Sequence, residues 1–298
     1  MKNVVRILFL FILAHIIGLV VGNAFISGYS SVTYGSTELT IQDMFFIVVG
    51  MSFFLILILV FLKMYKGNFL FKLLESIVVF TTSFIVFLGL LWYFNGSIEI
   101  AFILALFFTI LKFYISNLRN ITGIISGVGM AVMFSLFLSL FEAVLFIIFM
   151  CFYDIFAVFI SKHMVFMAKE FSKRDLSFSL ASKEKIKVTK IKTSYVIEKG
   201  VEVEVKEKYI EEEVEHLELG TGDISLPLAF ALVVFKTAYL DFNNAIAAFM
   251  FISLFSVISL GYTLYFVKKY KLFLPALPPI VLGSFIGLII SKYVLYLI

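Results

Sequence analysis

Two carboxylates lie in stretches too apolar to solvate them. Asp154 sits inside the run Leu145–Ile160, and Asp223 follows Gly220-Thr221-Gly222 ahead of a second apolar run. Ionisable groups inside a membrane segment are costly and mark functional positions. Two carboxyls brought together in such surroundings cannot both ionise easily, so they share one proton. The ionised member can take a proton from water while the protonated member donates to a substrate carbonyl. That is acid–base hydrolysis of an amide with no covalent intermediate, and the proton belongs to the pair. The neighbours of Asp223 suit a reaction centre. Glycines at 220 and 222 permit close backbone approach, and Pro227 removes the donor that the Asp223 carbonyl would meet in a regular helix. The other three of the four prolines are Pro275, Pro278 and Pro279. Their crowding suggests a rigid, non-helical lip, a backbone tolerated at membrane depth only where it lines a cavity or is buried.

The elements that would position these residues are membrane spans. The 298 residues are 62% hydrophobic and 15% charged, with mean hydropathy +1.09. A soluble domain is about 45–50% apolar, so lipid must solvate much of this chain. One cysteine, Cys151, excludes a disulfide scaffold. The net charge of +4 comes without a basic, aromatic-studded groove and implies no nucleic acid. Apolar windows fall at 4–26, 42–63, 70–94, 98–115, 121–139, 141–162, 217–238, 244–267 and 274–297. The expected fold is therefore all-α and polytopic, with nine transmembrane helices. The fifth and sixth spans are parted only by Ser139-Leu140-Phe141-Glu142. Lys2 and Arg6 ahead of Ile7–Val21 resemble a signal peptide, but that run is long for one and no small-x-small site follows, so a retained first helix is expected.

Lys and Arg concentrate on alternate connections, 22 of 24, while the opposite connections carry Glu38, Asp43, Glu99, Glu142 and Asp241. The expected orientation is N-terminus cytoplasmic and C-terminus outside. Lys236 and Lys292, near the outer ends of helices, are expected to snorkel to the interface. Asp154 then lies about 12 Å, and Asp223 about 9 Å, from the same cytoplasmic face, on consecutive spans. Consecutive elements are usually spatial neighbours, so the two carboxyls can meet.

The chain divides into spans one to six (1–162), a charged cytoplasmic loop (163–216) and spans seven to nine (217–298). The loop holds 11 basic and 11 acidic residues in 54 positions. Within it, 185–210 alternates Ile/Val with Lys/Glu around Glu198-Lys199-Gly200, a period of two that reads either as a β-hairpin or as a solvated loop. Gly123, Gly127 and Gly129 form a small-residue face for close helix packing.

Tyr153-Asp154, Gly220-Thr221-Gly222-Asp223 and Pro275-Ala276-Leu277-Pro278 together resemble the presenilin / signal peptide peptidase family of intramembrane aspartyl proteases, whose YD, GxGD and PALP motifs occur in this order. They fall on the sixth, seventh and ninth of the nine expected spans. The resemblance implies that Asp154 and Asp223 are catalytic, and that Tyr153, Gly220, Thr221, Gly222, Pro275, Ala276, Leu277 and Pro278 shape the site and help place substrate. It implies a multi-pass protein of the cell membrane, a GxGD-type aspartic endopeptidase that hydrolyses transmembrane helices of single-span substrates, with no cofactor and no metal. The charge bias is presenilin-like, while Gly222-Asp223-Ile224 with Pro227 resembles the signal peptide peptidase branch, so the chain looks like a microbial presenilin-type homologue. The partners implied are the lipid bilayer and substrate; a homo-oligomer is compatible with the apolar surface. A hairpin beside the seventh span could pair with an unwound substrate strand.

The alternative reading is an ion- or proton-coupled transporter, in which paired intramembrane aspartates carry the ion. No two halves of the chain read as repeats, and that reading leaves the three-motif set unexplained. A prepilin-type GxGD peptidase would lack the proline-rich ninth span. Zinc and serine mechanisms lack H-E-x-x-H and G-x-S-G. His163 and His216 lie in the loop, and His15 reads as a neutral residue bonded to a neighbouring helix.

Overall fold

The apolar runs fold as helices because each satisfies its own backbone polar groups where water is absent. The computed structural model describes residues 2–29, 69–115, 118–161, 179–198, 201–238, 241–270 and 275–296. Along them run α1 (Lys2–Tyr29), α2 (Phe69–Trp92), α3 (Ile98–Tyr114), α4 (Arg119–Phe137) and α5 (Leu140–Ile155), which continues as a π-helical turn, Phe156–Ile160. A hairpin of β1 (Ser179–Glu198) and β2 (Val201–Gly220) follows. The chain closes with α6 (Thr221–Thr237), α7 (Phe242–Tyr270) and α8 (Leu277–Tyr296). The described residues thus carry eight of the nine expected helices; the window at 42–63 lies outside them.

Six helices are long and apolar enough to cross a membrane, namely α1, α2, α4, α5 with its π turn, α7 and α8. The other two, α3 and α6, have 17 residues each. The seventh window opens at 217, yet α6 begins at Thr221, because Leu217–Gly220 complete β2. The membrane part is helical, and the one sheet among the described residues is the antiparallel hairpin, in register from Ser179↔Gly220 to Glu198↔Val201. It extends beyond the alternating stretch at 185–210, because Leu217-Glu218-Leu219 keep the alternation and Leu180, Leu217 and Leu219 are buried in the core.

A helix apolar on all sides belongs in the middle of a bundle. Every residue of α6 from Ile224 to Phe235 is buried, against α1, α4, α5, α7 and α8. Peripheral α3 instead turns Ile100, Phe102, Phe107 and Ile110 outward, the apolar face expected toward lipid. Its Lys112 is buried in an ion pair with Glu75 of α2. Burying both partners together avoids the larger cost of burying one alone. Close packing does use the glycine face of α4. A Cβ on Gly129 would lie 2.4 Å from the Thr82 carbonyl oxygen of α2.

The short joint between α4 and α5 is a reciprocal capping box. The Ser139 amide donates to Glu142 Oε2 (2.7 Å), and the Glu142 amide donates to Ser139 Oγ (3.4 Å), which satisfies orphan amides of α5. Lys236 does not snorkel. Its Nζ reaches from α6 to the carbonyls of Ser135 (2.6 Å), Leu138 (2.7 Å) and Leu136 (3.4 Å). An ammonium there fills the acceptors that a helix C-terminus leaves unpaired.

Candidate active site

Three helix ends converge on one level of the bundle. Asp154 is the penultimate residue of α5 and is only 4% exposed. Immediately after it the helix widens, as the Ser161 amide bonding to the Phe156 carbonyl shows (3.0 Å). Such i→i+5 turns occur often at functional sites. Asp223 is the third residue of α6 and is partly exposed. Its carboxyl turns back to the backbone of the helix N-cap, Gly220, and is near enough to Asp154 to feel its charge.

Gly220 is the residue of the glycine pair with a steric reason. A Cβ there would sit 3.3 Å from Asp223 Oδ2, whereas a Cβ on Gly222 would meet nothing within 4 Å. One glycine seats the carboxylate; the other faces open space. Thr221 lies between them on the first turn, half-buried. Pro227 is buried inside α6, so the carbonyl of Asp223 lacks its i+4 amide. Ser225 Oγ donates to the Gly222 carbonyl (3.3 Å) in the same turn.

The third end belongs to α8. Pro275 and Ala276 precede the helix, and Leu277 opens it. The non-helical lip expected over Pro275–Pro279 is therefore shorter, because Pro278 and Pro279 enter the first turn, where a missing N–H costs nothing. The Leu277 amide donates to Asp154 Oδ2 (3.3 Å). With two prolines next in line, it is the one first-turn amide of α8 free to do so before Ile280 bonds to the Ala276 carbonyl. Asp154 Oδ1 has no hydrogen-bond partner among the described residues. The sequence names Leu277 but not this use of its backbone. Sequence reasoning also missed Ser259, whose Oγ donates to the Pro279 carbonyl, and the Ser256–Ser284 hydroxyl pair (2.7 Å) that joins α7 to α8 one turn further along. Tyr153 is half-buried beside Asp154. No cluster of His, Cys, Asp and Glu that could hold a metal ion occurs among the described residues.

A sequence-family model described as "Signal-peptide peptidase, presenilin aspartyl protease" matches residues 8–296. The chain belongs to that family. This intramembrane aspartyl protease also has a solved structural neighbour, "Structure of a presenilin family intramembrane aspartate protease in C222 space group". The two align over 97% of each chain with TM-score 0.62 at 16% identity, a likeness of fold. No curated protein matches the chain. Membership and the apolar helices together make the protease an integral membrane protein.

Proposed function

We propose that Asp154 and Asp223 are the catalytic pair of a GxGD-type endopeptidase of the cell membrane, cutting peptide bonds inside the transmembrane helices of single-span proteins. The observation that carries this reading is the meeting of three helix ends, which brings both carboxyls and the Leu277 amide to one level. The ionised carboxyl accepts a proton from water, and the water oxygen bonds to the scissile carbonyl carbon. The other carboxyl gives its proton to the carbonyl oxygen. The tetrahedral adduct then collapses: one hydroxyl proton returns to the second carboxylate as the C=O re-forms, the C–N bond breaks and the nitrogen takes a proton from the first carboxyl, so the pair ends with the one proton it began with and one water is consumed per bond. The Leu277 N–H orients Asp154 through Oδ2, which leaves Oδ1 for water or the second carboxyl. The N-terminus and the hairpin face the cytoplasm in this reading, and substrate helices have their N-termini outside. Tyr153, Thr221, Gly222, Pro275, Ala276 and Pro278 line the approach.

The test is cleavage of a single-span reporter by purified protein in liposomes, alongside Asp154→Asn and Asp223→Asn. Scission within the span, lost by about a thousandfold or more in each folded variant, is the expected outcome. Cleavage that survives either substitution, or that maps outside the span, would overturn the proposal.

A further inference from the structure

The base of the hairpin is tied to the bundle by two polar contacts, one on each strand. Ser182 Oγ of β1 donates to Asn3 Oδ1 of α1 (2.7 Å) in a buried contact. Arg119 Nη2, at the start of α4, pairs with Glu218 Oε1 of β2 (3.3 Å). In the ladder Ser182 opposes Leu217 and Ala181 opposes Glu218. The ties therefore occupy adjacent rungs, whose side chains point to opposite faces, and the hairpin base is gripped from both sides. Leu180, Leu217 and Leu219 anchor it in the apolar core.

No linker separates this base from the site. Gly220 ends β2 and is also the N-cap of α6, with Asp223 three residues on. Helix α4 touches the chain on both sides of Asp223: through Arg119 at Glu218, and through Gly127, where a Cβ would lie 3.5 Å from Ile224 Cγ2. Helix stability gives no reason for an arginine at that place, since a cation at a helix N-terminus opposes the dipole. A partly exposed ion pair contributes little to stability. Displacement of a reacting group by an ångström, in contrast, has a large effect on rate.

We infer that Arg119 and Glu218 are positioning residues for Asp223, and that the base of the hairpin, not its charged shaft, serves the reaction. This rests on the protease reading above. In the reporter assay with the full chain, Arg119→Ala and Glu218→Ala should each lower kcat on the order of tenfold, with KM and thermal midpoint unchanged. Arg119→Lys should restore part of the rate, and the exchanged pair Arg119→Glu with Glu218→Arg most of it. Replacing residues 186–213 by an Asn-Gly turn joins the register partners Lys185 and Val214 and should leave kcat within about twofold, since two-residue loops of that kind close hairpins. Wild-type rates in Arg119→Ala, losses that follow unfolding, or no recovery in the exchanged pair would overturn the inference. So would loss of cleavage on trimming the shaft, which would assign the role to strand pairing with substrate. Failure of the wild-type chain to cut any reporter would instead count against the protease reading.

Discussion

At the N-terminus of α5, Ser139 and Glu142 satisfy each other's amides and Lys236 occupies the carbonyls left by α4. At its C-terminus the same helix loosens into a π turn, and Asp154 keeps an oxygen with no hydrogen-bond partner among the described residues. The first end has its polar groups matched, which fixes where the helix stands. The second leaves one hydrogen-bonding position open, which is what a reacting group requires. A matched terminus is worth stability and an unmatched one is worth rate, so substitutions at the two ends should separate in what they change.

The strongest separation is expected at Gly220→Ala. Its methyl group would press on Asp223 Oδ2 at 3.3 Å, and kcat should fall about a hundredfold with the thermal midpoint nearly unmoved. Gly222→Ala, which meets open space, should act on KM instead; equal kcat losses in both would break the steric account. Next comes Lys236→Met, which strips the donors from three carbonyls and should lower stability by about 2 kcal/mol in detergent unfolding, while the folded fraction still cleaves. Ser139→Ala should cost about 1 kcal/mol in the same measurement, again without a change in kcat. The smallest effect is expected at His15. The bond expected to a neighbouring helix is instead made within α1, where Nδ1 is 3.0 Å from the Phe11 carbonyl oxygen, and Nε2 is buried with no partner among the described residues. It is unmatched like Asp154 Oδ1 but lies outside the site. His15→Leu should leave cleavage intact and raise stability by up to about 1 kcal/mol; a lost rate would place that imidazole in the reaction.

Much of the helical fold is legible because lipid demands long apolar runs, and the aspartates are legible because such runs exclude charge. The errors have physical causes. Leu217–Gly220 reads as the start of a span because the buried Leu217 and Leu219 of a half-buried strand run directly on into the apolar helix that follows. The joint at Ser139-Leu140-Phe141-Glu142 looks weak by hydropathy, although S-x-x-E is the spacing of a capping box. Lys236 meets carbonyls about a hundred residues earlier in the chain, and Leu277 meets Asp154 through an amide every residue possesses. Neither contact leaves a pattern in the side-chain order.

The 17 residues of α6 rise about 26 Å, less than the roughly 30 Å of a typical hydrocarbon layer. Yet from Ile224 to Phe235 it is enclosed by other helices, so protein rather than lipid surrounds it. A helix too short to cross the layer by itself can hold its first turn at a fixed depth because its neighbours do the crossing, and the route by which water reaches Asp223 is then a property of the bundle.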